Sequence, residues 1–257
     1  MVSFATLWPW VGLGAAGMLF LLLVAGDSLV ADRRSPRWQD SAWLAFAAFA
    51  LTLLHQFEES GIDLSGRPSA LLSLLCTGFG FRDAVACPVP VAFLTAYNVG
   101  TVWIAGLIAI LAAPRHPLFG LTVFAVPLGN LILHIGAGLG LARYNPGLAS
   151  ALLMLPLAVW SFLVAGARHG AGPRVFAAIL AAALFTGGLS LALLLAARHG
   201  YVGDVPVSAA LVLLGLVPAA FMRFAVRKSD PPKAARRAPA RRPRSTAPKT
   251  APTPPPD

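Results

Sequence analysis

Acidic residues are scarce in this chain. Only ten Asp and Glu stand among 257 residues, and all charged residues together make 12%, against roughly 25% in a typical soluble domain. A water-facing surface cannot be built from that balance. Cysteine is scarcer still. Cys76 and Cys87 are the only two, and with neither a C-x-x-C pair nor a neighbouring histidine they exclude a cysteine-based zinc site. They leave one disulfide or two free thiols, because bridging depends on geometry that spacing does not fix. Basic residues are not scarce, and twenty of them taken alone would point to a nucleic-acid binder. Ten fall between Arg223 and Lys249, so the basicity describes one terminal segment and not the body.

What abounds is apolar: 57% of the residues, gathered in stretches at about 5–26, 41–59, 90–113, 117–142, 148–167, 175–197 and 205–225. Each is long enough, or nearly so, to cross a hydrocarbon core about 30 Å thick as a helix. The expected fold is all-α, a polytopic transmembrane helical bundle of about seven spans over residues 1–227, with a motif-bearing core at about 40–165. Nothing from Met1 to Gly26 is basic, so the first stretch reads as a retained span and not a cleaved signal peptide. Residues 228–257 have no apolar periodicity and are rich in Pro, Arg and Lys, the composition of a disordered tail. Its cations suit anionic lipid headgroups. An arm for nucleic acid is disfavoured, since no aromatic residues are interleaved to stack on bases.

Orientation follows from the loops. With the amino terminus outside, Arg33, Arg34, Arg37, Arg115, Arg168, Arg174 and the terminal ten face inward, sixteen in all. Only Arg67, Arg82, Arg143 and Arg198 face outward. The sequence therefore predicts an amino-terminus-out, carboxyl-terminus-in protein of the bacterial cytoplasmic membrane. The long connection after the second span faces out, and its apolar run SALLSLLCTGFGF is too short to span. It fits an interfacial lid, and both cysteines fall within this connection in an oxidising compartment.

Chemistry has to come from polar residues held at membrane depth against their solvation cost. His55, Glu58 and Glu59 are spaced i, i+3 and i+4 in the second span, which puts an imidazole and two carboxylates on one side of a helix. Asn130 and His134, i and i+4 in the fourth span, also share a face. Tyr97 and Asn98 lie at the same level in the third, and Arg143 and Tyr144 follow just above the fourth. Carboxylates at a helix carboxyl end oppose its macrodipole, so Glu58 and Glu59 are poorly explained as simple helix ends. The expected site is one pocket in the outer half of the bilayer. His55, Glu58, Glu59, Asn130 and His134 carry its chemistry, Asn130 orients a histidine, and Tyr97, Asn98, Arg143 and Tyr144 line the rim.

These residues carry a resemblance. His55-Gln56-Phe57-Glu58-Glu59, Asn130-Leu131-Ile132-Leu133-His134 and Tyr144-Asn145-Pro146-Gly147 resemble, in order, the HxxEE, NxxxH and YxPG motifs of the HXXEE family of bacterial membrane proteins. The resemblance implies a shared site and names no reaction. A more distant likeness to glutamic intramembrane proteases extends to the chemistry only: their EExxxR pattern meets Asp63 where Arg would stand, and their HxxxN order is reversed here.

Three functions can use such a constellation. In the first, His55, His134 and Glu58 or Glu59 hold a divalent zinc, iron or manganese ion for hydrolysis of a lipid-like or membrane substrate. In the second, a buried glutamate and a histidine act as acid and base, without metal, in an isomerase or cyclase acting on an isoprenoid or lipid. In the third, the polar layer conducts protons or ions through a transporter. No internal repeat is visible, which disfavours the third.

Overall fold

A computed structural model describes residues 3–78 and 89–227. Cys87 and the Pro/Arg/Lys-rich segment 228–257 lie outside the described residues. Among these residues the regular structure is helical, with one isolated β-bridge, Ile62 to Pro68. The helices are α1 (Phe4–Ala25), α2 (Ser41–Ser60), α3 (Ala70–Gly78), α4 (Val91–Ala112), α5 (Pro117–Gly140), α6 (Leu148–His169), α7 (Pro173–Arg198) and α8 (Asp204–Val226). Six of them, all but α2 and α3, are long and apolar enough to cross a membrane. With the 20-residue α2 they match the seven apolar stretches of the sequence. The protein is an integral membrane helical bundle.

Composition decides which helix goes inside. α2 has buried alanines all round its circumference, Ala42, Ala45, Ala47, Ala48 and Ala50, and small side chains let helix backbones approach closely. It packs against α1, α4, α5 and α6, so its polar end meets protein and not lipid. The outer helices keep large apolar side chains exposed, such as Leu21, Leu139 and Leu184, where hydrocarbon replaces water as the solvent. Phe124, Met154, Ile179 and Met222 fill the centre.

The α1–α2 connection closes its own backbone. Arg37 donates to the Leu23 and Val24 carbonyls and the Trp43 indole donates to Leu23 O, satisfying the end of α1. Asp40 caps α2, accepting from Trp43 N at 2.9 Å and from the Ala31 and Asp32 amides.

Two helices depart from regular geometry. Residues Ala96–Trp103 of α4 form a π-helical segment, a rare form that is frequent at functional sites. There Asn98 Oδ1 accepts from Gln56 Nε2 at 2.8 Å, and Trp103 Nε1 donates to Gln56 Oε1 at 2.7 Å. Gly100 lies so close to Val212 of α8 that a Cβ would sit 2.9 Å from its side chain. α5 passes through a 3-10 turn, Leu121–Phe124, after its first α-helical turn, and closes at Ala142 in the left-handed region.

The connection after α2 is partly helical, as α3, and packs on the end of α2. Cys76 is buried there. In the preceding loop Asp63 accepts from Ser65 N, Arg67 N and the Arg67 guanidinium, at 2.8–3.0 Å.

Candidate functional site

Three helices and one turn build the site. α2 brings His55, Glu58 and Glu59, and α5 brings His134. The Tyr144–Gly147 turn folds back over both, and α6 starts against them. His55, Glu59 and His134 are all buried, and one ligand atom from each lies within 4.8 Å of the others. His134 Nε2 is 2.8 Å from Glu59 Oε1 and His55 Nε2 is 3.5 Å from the same oxygen. The two imidazoles meet edge to face, with centroids 5.0 Å apart.

The outer nitrogens fix the protons. His134 Nδ1 lies 2.7 Å from Asn145 Oδ1, and Asn145 Nδ2 donates to the His134 carbonyl at 3.0 Å. A carbonyl can only accept, so the amide is pinned with its oxygen toward the ring, and His134 Nδ1 must carry a hydrogen. His55 Nδ1 lies 2.9 Å from Ser150 Oγ, whose own hydrogen goes to Glu58 Oε2 or to Gly147 O at 3.2 Å. His55 Nδ1 is therefore a donor too. A neutral ring so fixed presents Nε2 as a bare lone pair, whereas His134 Nε2, 2.8 Å from Glu59 Oε1, donates a hydrogen to that carboxylate wherever no other cation lies between them. His55 Nε2 has no hydrogen-bond partner.

Glu58 diverges from its neighbour. It accepts from Ala149 N at 3.1 Å, Ser150 N at 2.9 Å, Ser150 Oγ, and Tyr144 Oη at 2.9 Å. It sits at the amino end of α6, where the helix dipole favours a negative charge. That accounts for acids at the carboxyl end of α2: one of them serves the start of another helix. Tyr144 also accepts from Leu64 N at 3.2 Å. Burial first, and then the Glu58 carboxylate, push its phenol up to about 12, so it stays a donor at neutral pH.

The turn explains the third motif. Leu148 N donates to Asn145 O at 3.0 Å, and Gly147 has φ 94° and ψ −11°, the third position of a type II turn with Pro146 before it. A Cβ on Gly147 would lie 2.8 Å from His55 Cε1, 2.9 Å from His134 Cε1 and 3.1 Å from Glu59 Cγ. Glycine is required there twice over, for the backbone and for the space.

Several sequence expectations are redirected. Glu58 holds the start of α6 and does not join the histidines. The residue that orients His134 is Asn145, not Asn130, which is half-buried and lines a neighbouring cavity. Tyr97 and Asn98 line that cavity too, whereas Arg143 is exposed and Tyr144 is turned onto Glu58. Ser150, Asn145 and Gly147 escape a reading of ionisable residues. The YxPG spacing was the available signal for the last two.

Residues 43–161 match the family model described as a protein of unknown function with HXXEE motif. This segment belongs to the HXXEE family. It runs from the first turn of α2 into α6 and contains every residue of the His55, Glu59, His134 cluster with its supports. α7 and the described part of α8 lie beyond the HXXEE segment. No curated protein and no solved structure matches the chain.

Proposed function

We propose that the chain is a membrane-embedded metalloenzyme whose mononuclear centre is held by His55, Glu59 and His134. One observation carries this reading: both histidines have Nδ1 fixed as a donor, so their Nε2 atoms and a carboxylate oxygen converge in a buried space where His55 Nε2 has no hydrogen-bond partner. Uncompensated, that arrangement is costly, and a cation resolves it. Metal-bound histidines characteristically donate their other ring nitrogen to a carbonyl or similar acceptor, as these do to Asn145 and Ser150. Two histidines and a glutamate with an open position is a known catalytic zinc set, and mixed imidazole and carboxylate ligation also suits iron or manganese. A divalent ion there supplies Lewis acidity for hydrolysis of a lipid-like substrate. Glu58, Ser150, Tyr144 and Asn145 act through the ligands, holding both rings and the start of α6 in place.

The 2.8 Å contact between Glu59 and His134 also favours a second reading, a metal-free acid and base pair acting on a lipid or isoprenoid. A proton-coupled transporter has less support. Elsewhere in the spans the buried hydroxyls of Thr52, Ser161 and Thr186 donate to carbonyls of their own helices, which makes no ionisable trail. Elemental analysis of full-length protein purified in gentle detergent tests the first reading. One transition-metal ion per chain, lost in His55→Ala and His134→Ala, is expected. A metal-free, folded and active protein overturns it in favour of the second.

We place the site in the outer leaflet of the cytoplasmic membrane, with the carboxyl terminus inside, on the strength of the arginine distribution. Reporter fusions at Gly170 and Arg67 should read inside and outside respectively. The reverse result moves the site to the other face.

A further inference from the structure

Beside the cluster lies a cavity of about 380 Å³, lined by Glu59 and His134 together with side chains of α3, α4, α5 and α7. That volume is toward the small end of the roughly 300–1,000 Å³ usual for small-molecule sites. Leucine is the commonest residue of its walls. Leu133 of α5 and Leu191 of α7 both line it, and they are 69% and 55% exposed. On membrane-spanning helices such exposure faces hydrocarbon, so the cavity communicates with lipid between α5 and α7. Gly187 leaves α7 without a side chain at this wall, and a Cβ there would meet nothing within 4 Å.

The polar groups of the cavity select by charge. Among the described residues no lysine or arginine lines it, so an anionic phosphate or carboxylate head would find no side-chain counter-charge, and only the one positive charge that a divalent ion keeps once Glu59 binds it. Neutral hydrogen-bonding groups are present instead. Asn130 lines the wall, and Ser190, 7% exposed, lines it with an Oγ that has no hydrogen-bond partner. Buried polar atoms are rarely left unpaired, and the neutral head of a bound amphiphile would satisfy this one.

We infer that this cavity takes a neutral single-chain amphiphile, a long-chain alcohol, aldehyde, ester or amide, from the bilayer between α5 and α7, with its polar end at Glu59 and His134 and its chain leaving past Leu133 and Leu191. The inference deepens the metalloenzyme reading and rests on it for the fate of the polar end. The seat for the chain rests on the cavity.

The test uses full-length protein in phosphatidylcholine vesicles containing hexadecanol that carries a photoactivatable diazirine on its chain. Labelled peptides are mapped by mass spectrometry, and metal content is measured on the same samples. Labelling should concentrate on the peptides bearing Leu133 and Leu191. It should fall about tenfold in Gly187→Trp, the factor that 1.4 kcal/mol of lost binding produces. Gly188→Trp, also with open space at its Cβ but absent from the cavity wall, should label like the native protein. Even labelling over all lipid-facing helices, or equal loss in both variants, overturns the inference. So does labelling by the hexadecyl phosphate analogue as strong as by the alcohol. Concentrated labelling of metal-free protein leaves the inference standing and removes the metal reading. Bound metal with unfocused labelling does the opposite.

Discussion

Replacing Gly147 by alanine separates the two demands made on that position. At φ 94° an L-residue carries roughly 1–2 kcal/mol of left-handed strain. Its Cβ also enters a space where His55 Cε1 and His134 Cε1 are 2.8 and 2.9 Å away, and overpacking of that kind costs roughly 1–3 kcal/mol. The strain acts on the fold whether or not a ligand is bound. The clash acts on the rings, and if it is relieved only by driving the imidazoles apart it weakens metal binding by about 5–150-fold. Gly170→Ala is the matched control, because Gly170 has φ 65° and a methyl group there would meet nothing within 4 Å. In gentle detergent both variants should unfold at lower temperature than the native protein, Gly147→Ala by more. Only Gly147→Ala should lose metal under dialysis against a weak chelator. Equal destabilisation of the two variants, with metal retained in both, would refute the reasoning.

Other outcomes follow from the same contacts. Asn145→Ala should weaken metal binding about 10–100-fold, the usual effect of losing a ligand's outer partner, while Asn130→Ala leaves it unchanged; competition titration with a chelator reads both. Glu58→Gln cannot accept all four hydrogen bonds that reach the carboxylate and should lower stability by about 1.5–3 kcal/mol while metal stoichiometry persists, measured by thermal unfolding beside elemental analysis. Burial alone would raise the Asp63 carboxyl, but hydrogen bonds from Arg67 and Ser65 outweigh it and hold the group below its ordinary 3.8. Its contribution to stability is therefore fully present above that value and fades as pH falls through the lowered one. Native and Asp63→Asn proteins should differ in unfolding temperature at neutral pH and converge in strong acid.

The spans were legible because hydrophobicity in a bilayer is nearly a one-dimensional property, and the seven apolar stretches reappear within a few residues. The site was legible where helical periodicity governs it, in His55, Glu59 and His134. It was misread where periodicity ends. Glu58 and Glu59 both lie near the face of His55, yet adjacent residues on a helix point about 100° apart, so one turns to α6 and the other to α5. Asn130 shares a face with His134 by spacing, but Asn145, eleven residues further along, reaches the ring through a turn whose path no period describes. Ser150 is an ordinary small residue until the start of α6 is brought against α2.

The π-helical segment of α4 decides which of its residues can share a partner. Asn98 and Trp103 are five residues apart and both hold Gln56, the second residue of the first motif. In an ordinary α-helix, positions five apart diverge by about 140°, and one of the two would have to let go. The wide turn therefore acts as a one-residue insertion accommodated without breaking the helix. Deleting a single residue between Asn98 and Trp103 would leave hydropathy and span length almost untouched, yet it would rotate one half of α4 against the other and unlock α2 from its side.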